Sequence, residues 1–323
     1  MGMASKSWQQ SCTDRAAFGD NSPPTGPVLM STPRSRVAVV IASLGRPETV
    51  REVLEALDLQ VRKPDIIMLS VTGPEDLPAD IGADVMVVTG PKGLCRQRNR
   101  ALEALEGKTD YIVFFDDDYV PSKFAVEGVA NFFDAHPGVV GATGKVIKDG
   151  IKGPGIPYED AVRTVAAHDS SPQPQARILR RLSGLYGCNM AFRASAIGET
   201  RFDEALPYYG WLEDNDFSNR LKDRGQLVHT NAFYGVHCGV KSARSPGMRL
   251  GYSQIANPVY LAGKGSLPRI KALKLMSFNV LANLTLSLHP EPWVDRWGRV
   301  KGNWLAFRHL VSGKLSPEFI LQL

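Results

Sequence analysis

Two clusters of acids carry the chemistry this sequence offers. The first is Asp116-Asp117-Asp118, which follows Tyr111-Ile112-Val113-Phe114-Phe115 without a break. Three adjacent carboxylates repel one another and need a counter-charge. A divalent cation supplies it, and hard oxygen ligands suit Mg²⁺ or Mn²⁺. The alternative, a solvated acidic turn, fits poorly with the apolar run immediately before it. The second cluster is Glu213-Asp214-Asn215-Asp216, preceded by Tyr209-Gly210-Trp211-Leu212. Acids at a helix start can simply complement the helix dipole, which explains one acid well and three less well. Crowded together, they raise one another's proton affinity, which suits a general base working near neutral pH.

These acids need elements to hold them. The run before Asp116 reads as a buried strand of a parallel sheet, and ligands in open α/β sheets bind at the carboxyl ends of strands. Further strands are predicted over residues 36–43, 64–71 and 84–89. Helices are predicted over 47–59, with Pro47 at the first helical position, and over 94–106. Strand and helix alternate through short loops, the pattern of a doubly wound, mostly parallel sheet flanked by helices. Loops after successive strands then converge on one edge. Later come a helix over 122–135, a strand over 138–146 and a strand over 184–193 whose glycines mark a close approach of backbone or ligand. A helix from Asp216 to Arg224 is closed by Gly225, and a last strand over 227–236 leads into His237-Cys238-Gly239. Residues 148–182 show no clear period; their Arg177, Arg180 and Arg181 form either a solvated face or acceptor contacts.

The chain has 323 residues, 43% of them hydrophobic, enough for a large core. No apolar run reaches the roughly 18 residues a membrane span needs. Residues 1–34 are rich in Ser, Gln, Pro and Gly without periodicity, lack an apolar stretch of the secretory type, and read as a disordered tail. Cys12, Cys95, Cys188 and Cys238 are too dispersed for a zinc site or a disulfide framework and fit a reducing cytosol. Charge is uneven: residues 240–323 hold 12 Lys or Arg against 3 Asp or Glu, although the whole chain carries only +5. That region favours an anionic partner, whether a membrane surface, a phosphorylated acceptor or nucleic acid. Residues 246–323 are expected to be mostly helical, with Leu273, Met276, Val280 and Leu284 on one face. Trp293, Trp297 and Trp304 among Arg296, Arg299 and Lys301 suggest either a membrane interface or an ordinary helix covering the core.

Taken in order, the motifs resemble family 2 glycosyltransferases of the GT-A fold. They are the Ser-x-x-Arg loop at Ser43 and Arg46, the Gly-x-x-x-x-Arg-Asn segment from Gly93 to Asn99, and Phe-Phe-Asp-Asp-Asp-x-x-Pro. Gly-x-Asn-Met-Ala-Phe-Arg at Gly187, Trp-Leu-Glu-Asp-x-Asp-Phe at Trp211, and a His 23 residues beyond Asp214 complete the series. The resemblance covers about residues 36–240. It implies a catalytic domain over 35–245, a helical basic extension over 246–323, a nucleotide-diphosphate sugar donor (UDP-sugar by preference), a divalent cation and inversion at the anomeric carbon. It further implies that Asp116 and Asp118 are the two acids of the DxD motif, with Asp118 and His237 on the metal. Ser43, Arg46, Ser70, Arg98, Asn99, Asp116 and Asp117 then serve the donor, Asp214 is the base, and Glu213 and Asp216 shape the acceptor site; Trp211, read from its own chemistry, either stacks on a sugar face there or packs in the core. A His ligand tilts the choice from Mg²⁺ towards Mn²⁺. Many members grip uracil with an Asp just after the second strand; here that place reads Ser70-Val71-Thr72-Gly73-Pro74-Glu75-Asp76, with the acids displaced. Ser70 or Thr72 then meets the base, or the nucleotide is not uridine.

The expected acceptor is a glycan or a lipid-linked molecule of the cell envelope or an exopolysaccharide, with no nucleic-acid partner. The expected location is cytoplasmic, with peripheral membrane contact through the basic helices as an open option. A sugar nucleotidyltransferase would share the sheet and the paired acids but needs a glycine-rich phosphate loop, where Ser43-Leu44-Gly45-Arg46 offers one glycine. A non-catalytic nucleotide-sugar or anionic-lipid binding module is disfavoured by the intact Asp214 cluster.

Overall fold

Runs of Val, Ile and Phe become strands because branched and aromatic side chains fit a pleated, buried surface. The computed structural model describes residues 34–172, 174–241 and 246–323; the expected tail over residues 1–34 falls, Arg34 apart, outside them. The elements are β1 (Val37–Ala42), α1 (Pro47–Asp58), β2 (Ile66–Val71), β3 (Val85–Thr89), α2 (Leu94–Leu105), β4 (Tyr111–Asp116), β5 (Tyr119–Pro121), α3 (Ala125–Ala135) and β6 (Val139–Asp149). There follow α4 (Tyr158–Asp169), β7 (Ile178–Arg181), β8 (Asn189–Arg193), α5 (Ala194–Ile197), α6 (Glu213–Asn219), β9 (Gln226–His237), α7 (Gly247–Lys264), α8 (Arg269–Leu286) and α9 (Arg296–Val311). Among the described residues the nine strands make one sheet in the order β3-β2-β1-β4-β8-β6-β9-β5, with β7 also on β9. β1, β2, β3 and β4 are parallel, β8 runs against β4 and β6, and β9 is parallel to β6. Six strands therefore point one way and three (β5, β7 and β8) the other. This is the expected α/β class, a mostly parallel sheet flanked by helices.

Alternation divides the strand residues between two cores. Val37, Val39 and Ile41 face one side with Val50 and Val53 of α1 and Val129 and Phe133 of α3. Ala38 and Val40 face the other with Leu102 of α2 and Phe217 of α6. α1 begins with Pro47 as expected. α6 departs from expectation: it starts at Glu213, so the second acid cluster lies inside its first turn rather than ahead of it. Four elements, β5, α4, β7 and α5, had no legible signal. α4 buries only Ala161 and Val165, too narrow a stripe to show a period. β7 is held by backbone pairing to β9, leaving Leu179, Arg180 and Arg181 exposed.

Ser35–Leu323 forms one compact unit that includes α7, α8 and α9. α7 and α9 touch along small residues: a Cβ on Gly302 would lie 2.1 Å from the Met248 carbonyl oxygen, and one on Gly251 2.2 Å from that of Arg299. A buried amide chain, Asn303 and Gln254 on Asn283, joins all three helices. Leu273 and Leu284 of the expected α8 face are exposed, while Met276 and Val280 pack beside Tyr252 and Ile255. No helix among the described residues is long and apolar enough to cross a membrane. Cys95, Cys188 and Cys238 are free and buried.

Candidate active site

Sheet direction decides which residues meet. The carboxyl ends of β1, β4, β6 and β9 all open on one edge, where they present Ser43, Asp116–Asp118, Asp149 and His237. β8 runs the other way, so its amino end, led by Tyr186 and Gly187, comes to the same edge: the Asp116 amide donates to the Cys188 carbonyl at 3.1 Å.

The three adjacent acids take three different environments. Asp117 is buried and accepts from the Ser43 hydroxyl at 2.6 Å and from Arg46 Nη1 at 2.9 Å. Burial outweighs these partners and pushes its carboxyl up to about 6. Asp118 accepts from the Val240 amide at 2.7 Å and faces His237 Nε2 at 3.3 Å. Burial raises its proton affinity, but His237 and the amide reverse that and leave it below the usual range. Asp116 lies 3.1 Å from Arg98 and 3.9 Å from His237 Nε2.

Asp116, Asp118 and His237 each offer one ligand atom, all within 4.8 Å of one another. The far nitrogen of His237 supports the same reading. Nδ1 sits 2.9 Å from the Asp149 carboxylate and 3.2 Å from the Tyr186 hydroxyl, which leaves Nε2 directed at the two aspartates. A carboxylate behind a histidine is the usual support for a metal-ligating imidazole. Burial pulls the His237 pKa down, but Asp118 and Asp149 override it and hold it up at about 10. A proton on Nε2 thus supplies positive charge to the acids, and cation binding there would release it. The donor set, two carboxylates and one imidazole, fits Mn²⁺ or Mg²⁺.

Arg98 joins this group to the second acid cluster. Its guanidinium, fully buried, pairs with Glu213 and Asp116 and donates to the Gly187 carbonyl at 3.4 Å. Burial together with the neighbouring Asp214 charge raises Glu213 well above the ordinary carboxyl range despite Arg98. Asp214 follows directly. Its Oδ2 accepts from the Gly187 amide at 2.9 Å and its Oδ1 from the Asn215 amide at 2.6 Å. A side chain at Gly187 would press on this carboxylate, since a Cβ there lies 3.3 Å from Oδ2. Leu212, just ahead of Glu213, holds a left-handed φ of 76°. Such a conformation costs on the order of 1–3 kcal/mol in a non-glycine residue and persists only where its surroundings fix it.

Ser43, Arg46, Arg98, Asp116, Asp117, Asp118, Glu213, Asp214 and His237 are therefore brought together. Four expected residues are not. Ser70 is fully buried and its hydroxyl donates to the Gln97 carbonyl. Asn99 is bonded to Phe202 and Glu204. Asp216 is buried against Arg220 and Lys264, tying α6 to α7. Trp211 is half-buried beside Arg249, Leu250 and Ile320, its carbonyl accepting from Asn257. Thr72 is also committed, since its hydroxyl donates to Asp76, which accepts from Gly45 as well and so laces the loops after β1 and β2 together. Arg96 pairs with Glu204 on the surface. Asp149 and Tyr186 were missed; the register that sets Asp149 opposite His237 is a property of the sheet and is not visible in the local sequence.

No curated protein matches the chain in sequence. Among solved structures it is similar to the mannosyltransferase PcManGT from Pyrobaculum calidifontis in complex with GDP-Man and Mn²⁺, at 12% identity over 89% of this chain and 85% of that one, TM-score 0.49. It is also similar to S. aureus TarS, at 14% identity over 87% and 83%, TM-score 0.47. A third is glucosyl-3-phosphoglycerate synthase from Mycobacterium tuberculosis in complex with Mn²⁺, UDP and phosphoglyceric acid, at 19% identity over 72% and 80%, TM-score 0.45. Residues 38–201, half of the chain and the part that holds Asp116–Asp118, match the sequence model for glycosyl transferase family 2. The chain belongs to that family and is a glycosyltransferase, built on a mostly parallel α/β sheet.

Proposed function

We propose that the protein transfers a sugar, with inversion, from a nucleotide-diphosphate donor to a hydroxyl deprotonated by Asp214. The observation that carries this is the single buried Arg98 that bonds both Asp116 and Glu213, since it fixes Asp214 at a set distance from the acid trio. Asp116, Asp118 and His237 would hold the cation, with Mn²⁺ favoured by the imidazole. When bound, the cation supplies Lewis-acid stabilisation of charge on the leaving diphosphate. Ser43, Arg46 and Asp117 serve the donor at the ends of β1 and β4, with Ser70, Arg98 and Asn99 bracing α2 behind them. Asp214 accepts the proton of the attacking hydroxyl on the side opposite the leaving group, which is what inversion requires. The Gly187 and Asn215 amides hold its carboxylate in one orientation. Trp211 offers a ring to an acceptor sugar, with Glu213 and Asp216 supporting that side. The basic charge of residues 240–323 supports a glycan or lipid-linked acceptor that carries negative charge.

Asp214→Asn tests the assignment. Turnover should fall at least about 100-fold, the usual contribution of a general base, while donor binding by calorimetry stays within about twofold. Turnover within tenfold of the parent would remove Asp214 from the reaction. An anomeric configuration in the product equal to that of the donor, read by NMR, would remove inversion.

A further inference from the structure

α8 and α9 each carry two apolar faces, and only one is used. The inner faces are taken up by α7, through Gly302 against Met248 and the Asn283–Asn303–Gln254 chain. On the outer face of α9, Trp297, Lys301, Trp304, Arg308 and Val311 recur at spacings of four and three residues, and all five are exposed. Trp297 is 55% exposed, Trp304 68% and Val311 91%. On α8, Ile270, Leu273, Phe278, Leu281 and Leu284 are exposed, Phe278 by 71%, with Lys274 between them. A scattered exposed leucine needs no explanation. Two neighbouring helices with large side chains left in water do.

Charge indicates what covers this face. Lys274, Lys301 and Arg308 make no ion pair among the described residues. Two of the three acids in residues 240–323 are already engaged: Glu291 with Arg296, and Asp295 as the cap of α9. A two-fold contact with a second copy would set this cationic patch against itself. A surface of phosphates over hydrocarbon matches both components, because tryptophan rings settle at the headgroup level and Lys and Arg reach the phosphates.

We propose that α8 and α9 form a docking surface for an anionic lipid bilayer. Phe278, Leu281, Trp297 and Trp304 meet the acyl boundary, and Lys274, Lys301 and Arg308 meet the headgroups. The surface adjoins the acceptor side of the site: Lys271, at the start of α8, donates to Asn215, the residue after Asp214, at 3.1 Å. Docking itself does not depend on the reaction and is measured without donor.

The test is co-sedimentation of the full chain with vesicles of phosphatidylcholine, with and without phosphatidylglycerol. Binding is expected on the anionic vesicles, weakened by salt, with a blue shift of tryptophan emission. Lys301→Gln with Arg308→Gln should weaken it about 25-fold, at roughly 5-fold for each cation. Trp297→Ser with Trp304→Ser should remove the blue shift and most of the binding. Both pairs are on the surface, so thermal melting should match the parent and separate lost docking from lost folding. The proposal is overturned if the parent does not sediment with anionic vesicles, or if neither pair changes binding. It is equally overturned if the chain is a dimer that Trp304→Ser dissociates and vesicles are ignored, which would give the face to a second copy.

Discussion

Asp149→Asn leaves the shape of the His237 pocket intact and removes its charge. Asp149 Oδ1 accepts from the Ile151 amide at 3.0 Å and meets His237 Nδ1 at 2.9 Å; the amide oxygen of Asn can keep both. Oδ2 accepts from the Tyr186 hydroxyl at 2.9 Å; the new NH₂ takes that place and the hydroxyl turns to accept. What is lost is the carboxylate that makes the imidazole a stronger ligand. Removing such a partner from a ligating histidine typically weakens metal binding 10- to 100-fold, or about 1.4–2.7 kcal/mol. The assay is Mn²⁺ titration of the donor-free protein, following free Mn²⁺ by electron paramagnetic resonance, with Asp118→Asn as the variant expected to lose the site outright. A Kd for Asp149→Asn within about twofold of the parent would refute the reasoning, because His237 would then need no carboxylate behind it.

Arg98→Met should cost about 3–5 kcal/mol in urea unfolding of the donor-free protein, since Glu213 and Asp116 lose a buried counter-charge; unchanged stability would make Arg98 a donor contact and not a strut. Gly302→Ala drives a methyl into the Met248 carbonyl and should lower stability by about 1–3 kcal/mol, seen as a lower melting temperature; an unchanged melt would mean that α7 and α9 are not closely packed. His229 is held below its ordinary value of 6.5 by burial and by Arg180 and Lys145. Its contribution to stability is therefore full above pH 6.5 and is lost as pH falls through the lower, folded-state pKa, so His229→Gln should flatten the decline in urea stability below pH 6.5; an identical slope would count against it.

The first half of the sheet was legible because β1 and β4 are buried on both faces and read as unbroken apolar runs, so the loops that follow them, with Ser43 and Asp116–Asp118, could be placed at a strand end from sequence alone. Ser70 shows the limit of that reading. Its position at the end of β2 was right, but alternation puts it on the face of Met68, against α2, where its hydroxyl serves the Gln97 carbonyl. Arg98 was legible as a site residue but not as a buried one, because Glu213 lies 115 residues away and nothing local announces the pairing. The Asp149–His237 bond spans 88 residues and exists only through the parallel register of β6 and β9. β6 was expected to stop at Val146, three residues short of the carboxylate that matters. Local propensity says where a strand begins; the partner strand decides how far it continues.

The arrangement also explains how acids so far apart in the chain can share one edge without driving it open. Left alone, Asp116, Asp117, Asp118, Glu213 and Asp214 would repel across a few ångströms of low-dielectric protein. Each side instead has a cation of its own: Arg46 for Asp117, and protonated His237 for Asp118. Arg98 is shared, binding Asp116 on one side and Glu213 on the other. Its third bond, to the Gly187 carbonyl, comes from the residue whose amide holds Asp214. The separation between the acid trio and Asp214 is therefore set by one planar guanidinium and one peptide unit, both rigid, and not by flexible loops. A lysine could neutralise the same charges, but a single ammonium on a flexible stem cannot fix two carboxylates and a carbonyl in one plane.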